Sequence, residues 1–180
     1  MHQKGPWKVT NTKTTYQNPW MTVREDSVIR PDSKPGIFGV VTLLPGVSVL
    51  PITDDGYVYM TEEYRYGVEH DSIEAASGGM EKNASPLETA KKELQEETGL
   101  TADEWVDCGM VDPLTSVVFA SQYLFVARGL HYGETNLEGT EVIKMHKIKF
   151  NDLYQMVLDS RITHAPTCVL ILRAKVILDK

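Results

Sequence analysis

Polar residues alternate with aromatic or β-branched ones through Trp7 to Thr10, Thr14 to Tyr16 and Met21 to Ile29, and the pattern stops at Pro31-Asp32-Ser33. Side chains on a strand point to opposite faces in turn, so this pattern predicts short strands and turns. Such a segment can form a small sheet but little core of its own. Residues 1–45 are therefore expected to be a β subdomain that packs on a main domain, residues 46–180, or on a second subunit.

Further along, Val47 to Ile52 and Gly56 to Thr61 flank Asp54-Asp55-Gly56 and read as a hairpin. Ser72 to Ala76 suits a short strand. Glu104 to Val111 and Gln122 to Ala127 suit two more, joined by a loop holding Pro113, and Val142 to Phe150 alternates like another. Asn151 to Leu158 opens on an Asn/Asp capping signal. Pro166 to Leu178 is apolar at helical spacing, with Pro166 suited to the first turn. Strands interspersed with helices predict an α/β or α+β sandwich, its helices covering a mixed sheet.

One helix has both ends written out. Ser85 can cap it, Pro86 fits its first position and Glu88 completes a capping box. Gly99 supplies the left-handed residue that ends it, after which Leu100 can fold back apolar surface. Leu87, Ala90 and Leu94 form the expected inward stripe. Glu93, Glu96 and Glu97 crowd its last turns. Like charges at this spacing cost about 0.2–0.5 kcal/mol per pair. Carboxylates there also oppose the helix dipole, by about 0.3–1 kcal/mol each when exposed. A solvated acidic face is one explanation. A divalent cation is the other, because hard cations take oxygen ligands and remove the repulsion.

Composition narrows the partners. The net charge is −7 and no polybasic run occurs, which argues against nucleic acid or an anionic membrane. A phosphorylated substrate stays possible, since a bound cation reverses the local sign. Cys108 and Cys168 lack the spacing of a metal or redox motif, so reduced thiols in a cytoplasmic protein are expected. The N-terminus has no apolar signal-peptide core. The apolar stretch from Ile37 to Ile52 is interrupted by Pro45, Gly46 and Pro51 and cannot be one membrane helix.

Gly78, Glu93, Leu94, Glu96, Glu97, Gly99 and Leu100 stand at the spacing of the Nudix box, which the segment from Gly78 to Leu100 resembles. Two positions depart from it. Where the box has its first glutamate this chain has Ala84, and where it has arginine the chain has Lys92. In the family those two side chains are thought to brace the loop against the helix; Glu88 can pair with Lys92 at i,i+4 only as a weak surface contact, so a looser site is expected, with its metal-binding carboxylates retained. The resemblance extends to Glu62–Gly67, Ile73–Gly79 and Ser160–Leu172. There the chain looks like ADP-ribose pyrophosphatases and related nucleoside-diphosphate-sugar hydrolases. It implies a Nudix-type α/β/α sandwich.

The resemblance also implies a site. Metal ligands are expected at Glu93, Glu97, the backbone carbonyl of Ser77 and Glu141 from a late loop, with Glu96 beside them as a catalytic carboxylate. In that loop Glu134 is a further carboxylate, and Glu138 is chosen as the base that activates water. Arg65 is expected on the diphosphate or terminal ribose and Glu74 on the sugar. The cofactor would be magnesium or manganese. The substrate would be a nucleotide sugar, ADP-ribose first and GDP-mannose or another behind it. A sensor that binds without turnover stays open because of Ala84 and Lys92. In this branch N-terminal strands often exchange within a homodimer, and Trp7, Tyr16 and Trp20 can serve there. His70, His131, His146 and His164 show no ligand spacing and are expected to be surface or structural residues.

Overall fold

The computed structural model describes residues 1–137, 139 and 142–178. The chain divides into two compact units, one of residues 1–44 and 112–121, the other of residues 45–111 and 122–180.

In the first unit, β1 (His2–Lys4), β2 (Trp7–Gln17), β3 (Met21–Ile29) and β4 (Pro35–Leu43) form an antiparallel meander. The two strands expected before residue 17 are one. β2 is continuous because bulges at Val9/Asn11 and Thr14/Tyr16 absorb the breaks in its alternation. Asp26 is buried on β3. Burial raises the cost of its charge, but the Thr12 hydroxyl and Arg24 outweigh it and hold the carboxyl below its ordinary range.

In the second unit come β5 (Gly46–Pro51), β6 (Tyr57–Arg65), β7 (His70–Glu74), β8 (Ala76–Gly79), α1 (Pro86–Thr98) and β9 (Leu100–Val111). The chain then crosses to the first unit, where β10 (Val118–Phe119) pairs parallel with β4. It returns as β11 (Gln122–Tyr132), β12 (Lys144–Lys149), α2 (Phe150–Leu158) and α3 (Ala165–Leu178). One sheet has the order β8-β5-β11-β9 and is mixed, since β11 runs parallel to β5 and antiparallel to β9. The other is antiparallel, β12-β6-β7.

Residues 47–61 do not form the expected hairpin ladder. The Thr53–Tyr57 turn is present, with Gly56 left-handed at φ 78°, but β5 and β6 share only the Ile52/Val58 bridge and then enter different sheets. β5 is buried along its whole length, so it is paired on both edges inside the mixed sheet. Its odd residues, Val47 and Val49, face Ala90 and Leu94 of α1. Leu50 and Ile52 face the cluster that holds Leu170, Ile171 and Ala174 of α3. Two helices thus cover opposite faces of one mixed sheet, as the sandwich expectation requires.

Two helical details differ from expectation. Leu87 is at the rim, 36% exposed, so the inward stripe of α1 is Ala90 and Leu94 with the buried Thr89 and Thr98. α2 begins one residue before Asn151 and has no side-chain cap, because the Phe150 N–H donates to the Gly56 carbonyl instead.

Candidate active site

α1 begins as its sequence dictates. Ser85 accepts from the Glu88 N–H while the Glu88 carboxylate accepts from the Ser85 N–H. It ends at Gly99, φ 69°, whose N–H donates to Gln95. The glutamates therefore occupy the final turns, where carbonyls accumulate. Those carbonyls are used: Glu96 accepts from the Asn136 N–H at 2.9 Å and Gly99 from the Gly133 N–H at 2.7 Å. The start of the late loop is thus tied to the C-terminal end of α1. Glu138 and Glu141 lie outside the described residues.

β8 is an edge strand that runs beside α1. Ser77 donates its N–H to Oε2 of Glu97 at 3.0 Å rather than to β5. In an antiparallel pair the N–H and C=O of one residue leave the strand on the same side, so the Ser77 carbonyl also points away from β5. Glu97 is only 6% exposed, far more buried than a helix-end glutamate usually is. Next to it, Gly78 lies under Glu93: a Cβ built on Gly78 would be 2.1 Å from Cδ of Glu93. A side chain at position 78 would displace the Glu93 carboxylate from where it now lies.

The donor chemistry of this corner is hard oxygen, two carboxylates one turn apart and an edge-strand carbonyl, which suits magnesium or manganese better than zinc or copper. Among the described residues no three of His, Cys, Asp and Glu group as a complete metal site. Glu96 is set differently, with its carboxylate 3.7 Å from Lys92.

The loop brace differs from expectation. Glu88 is occupied by Ser85, and Lys92 instead reaches Glu81 at 2.7 Å. The acidic partner has moved from position 84 to position 81, so the loop is still clipped to the helix. Both side chains are well exposed, at 47% and 71%. The clip positions the loop more than it stabilises the fold. The sequence signal was present, since Glu81 is the acidic residue nearest Ala84 on its N-terminal side.

Arg65 and Glu74 meet each other. Arg65 Nε and Nη2 donate to the two oxygens of Glu74 at 3.2 and 2.8 Å, and Nη1 is 2.6 Å from Glu63. Burial pushes the Glu74 carboxyl up, but Arg65, the nearby His164 and the Ser72 hydroxyl outweigh it and hold it below the ordinary range. For Arg65, burial acts to lower the pKa and is overcome by Glu74, Glu63 and Glu97, which keep it raised. His164 is a member of this cluster rather than an unrelated structural residue, 3.4 Å from Glu74 Oε2. It precedes Ala-Pro-Thr at the start of α3, where its carbonyl accepts from Cys168 as a helix N-cap does. The cavity of roughly 870 Å³ in this unit, walled by Asp54, Arg128, Lys149 and Lys175 among others, has none of these site residues in its lining. A smaller hollow of about 110 Å³ does adjoin the glutamates, walled by Gly79, Glu81, Lys92 and Glu93 among others.

Comparison with known proteins agrees with this geometry. Residues 42–165 match the NUDIX domain, and residues 7–41 match the nucleoside diphosphate sugar hydrolase N-terminal domain. An ADP-ribose pyrophosphatase of Bacillus subtilis is 31% identical over 128 residues, 68% of this chain and 68% of that protein. A methanol dehydrogenase activator of Bacillus methanolicus is 27% identical over 168 residues, 90% of this chain and 89% of that one. The crystal structure of an ADP compounds hydrolase superposes with a TM-score of 0.84 at 16% identity, over 99% of this chain and 97% of the other, and so shares the fold. Fold and matches together define a pyrophosphohydrolase. The chain belongs to the Nudix family, in its nucleoside-diphosphate-sugar hydrolase branch.

Proposed function

We propose that the protein hydrolyses the diphosphate bond of a nucleoside-diphosphate sugar, with ADP-ribose giving AMP and ribose 5-phosphate as the first choice. The observation that carries this reading is the clasp of α1 on β8, in which Ser77 orients Glu97 and Gly78 admits Glu93. The pyrophosphatase relative supports ADP-ribose over GDP-mannose or another sugar nucleotide.

In the proposed mechanism, Glu93, Glu97 and the Ser77 carbonyl, with Glu141 from the loop, would hold magnesium or manganese. Such an ion would supply charge neutralisation for the diphosphate and a lowered pKa for the attacking water. Ser77 keeps one Glu97 oxygen fixed through its N–H, so the other is directed. Glu96 sits at the rim, where Lys92 offsets part of its charge. Glu138 is assigned the role of accepting the water proton as oxygen attacks phosphorus in line and the second phosphate leaves with the bridging oxygen. Arg65 offers its remaining N–H groups to the diphosphate, and Glu74 holds that guanidinium in place while facing the sugar.

No helix among the described residues is long and apolar enough to cross a membrane. We place the enzyme in the cytoplasm, as a homodimer joined through the N-terminal unit. Tyr16 and Trp20 there are 54% and 71% exposed, and Trp7 packs edge-on to Phe38. Sedimentation at equilibrium tests this, and a monomer at all concentrations would refute it.

The activity test is metal-dependent release of monophosphate from ADP-ribose, GDP-mannose, UDP-glucose and diadenosine polyphosphates. Turnover of one nucleotide sugar is the expected result. Metal-dependent binding of all candidates without turnover would replace the hydrolase with a sensor. The activator relative, which aligns with more of the chain, favours a second reading in which this protein activates a dehydrogenase. An unchanged methanol dehydrogenase rate on its addition would remove that reading.

A further inference from the structure

His164 is a half-buried titratable group that the mechanism above does not use, and its surroundings are specific. The buried hydroxyl of Thr167 accepts from the Ala75 N–H at 3.0 Å, so its own hydrogen is available to donate. Nδ1 of His164 lies 2.9 Å away and can accept it. In that arrangement the neutral ring carries its proton on Nε2. The same Nδ1 is 3.4 Å from Glu74 Oε2, which also accepts from Arg65 Nη2 at 2.8 Å. One carboxylate oxygen therefore stands between the arginine on β6 and the imidazole at the start of α3. Among the described residues, Glu74 and Arg65 are the charged groups whose fields act on the ring.

We propose that His164 is a positioning residue for Arg65: through their shared contact with Glu74 Oε2, it sets how tightly Glu74 engages Nη2 and so how much of that N–H is left for the substrate. This rests on the reading of Arg65 as a substrate contact. With the ring neutral, Nδ1 donates nothing to Oε2 and Glu74 clasps Arg65 in the fork geometry seen here. When Nδ1 takes up a proton it donates to Oε2, the clasp on Nη2 loosens, and that N–H turns to the diphosphate. Burial opposes charging of the ring, as does Arg65, while Glu74 favours it, and the balance lies on the low side of an ordinary histidine. The effect is accordingly an acid-side fall in KM that kcat does not share.

The test uses the full-length protein and the sugar nucleotide it turns over, with kcat and KM measured between about pH 5 and 8. His164→Asn keeps a good helix N-cap, so it is expected to fold. The expected results are that the acid-side fall in KM vanishes in His164→Asn, and that KM at neutral pH changes by about threefold or more in Glu74→Gln but no further when His164→Asn is added. Imidazole NMR of the wild type should show the Nε2–H tautomer, and Glu74→Gln should move its titration to lower pH. If Arg65→Ala leaves KM unchanged, the substrate role of Arg65 fails and the proposal with it. If Arg65→Ala raises KM but the Glu74 and His164 changes are additive, or the acid-side fall persists in His164→Asn, the coupling alone is overturned.

Discussion

The carboxylate of Glu93 lies where a side chain at residue 78 would have to go. Gly78 has no left-handed backbone to maintain; it is an ordinary strand residue paired with Val47, so packing alone requires glycine there. An alanine at 78 must push aside either a flexible glutamate or the strand. The cheaper route is for Glu93 to move. Gly78→Ala is therefore expected to lower kcat/KM at least tenfold while changing stability by only about 1 kcal/mol. Steady-state kinetics beside a thermal melt checks this; equal losses in both would mean that the strand moved instead.

Glu97→Gln separates charge from shape. The amide oxygen can still accept the Ser77 N–H, so the clasp of α1 on β8 survives. The ligand charge does not. Turnover is expected to fall by about a hundredfold or more, with the melting temperature in the metal-free protein preserved within a few degrees. Metal titration calorimetry should show weakened binding in the variant.

Lys92 and Glu81 form an exposed clip, which salt should screen. Glu81→Ala and Lys92→Ala are each expected to lower kcat modestly by loosening the loop before α1. The double variant should be no worse than the poorer single one. Additive losses in this cycle would show that the two side chains act separately.

The Arg65–Glu74 pair makes stability depend on pH. Glu74 has a folded-state pKa below the ordinary 4.5 of a glutamate, so its contribution is complete above that pH. It is lost as pH falls below 4.5 through the folded value, where the unfolded chain binds the extra proton first. Glu74→Gln should flatten that part of the acid limb and cost about 1–2 kcal/mol at neutral pH, allowing for the exposure of Arg65. Denaturant melts at stepped acid pH measure it; an unchanged acid slope would mean that another carboxylate dominates.

His164 adds a second limb with the same sign. Its folded-state pKa is below the ordinary 6.5, so the folded protein binds fewer protons than the unfolded chain just below that pH. Stability should fall as pH drops from 6.5 through the folded value. His164→Asn should remove this component and weaken the Glu74 limb, to whose lowered pKa His164 contributes, without abolishing it, since Arg65 stays in place; melts over the same pH series will show this.

Local chemistry made α1 readable in full. Ser85, Pro86, Glu88 and Gly99 act within one or two turns of themselves, so their roles follow from spacing. The same holds for the strand at Met21–Ile29 and for the turn at Thr53–Tyr57. The hairpin expectation failed because a turn fixes only its own neighbours. Whether β5 stays beside β6 depends on what else bids for its edges, and β11 and β8 do. The late loop shows the same limit: its glutamates could be enumerated, yet the anchoring of Gly133 and Asn136 to α1 could not be read from spacing.

The sequence by itself determined the helix, its caps, the three glutamates on its last turns and the glycine fifteen residues before Glu93, because each depends on short-range geometry or on a fixed spacing. Only the tertiary structure decided that Glu81 replaces position 84 as the partner of Lys92, that Arg65 is already clasped by Glu63 and Glu74, and that His164 from the far end of the chain stands on the same carboxylate. Those pairings join elements that lie far apart in the chain or across an irregular loop. Charge and hydrogen-bonding capacity can be read residue by residue, but which donor reaches which acceptor is set by the packing of β6, β7 and α3 around a common core.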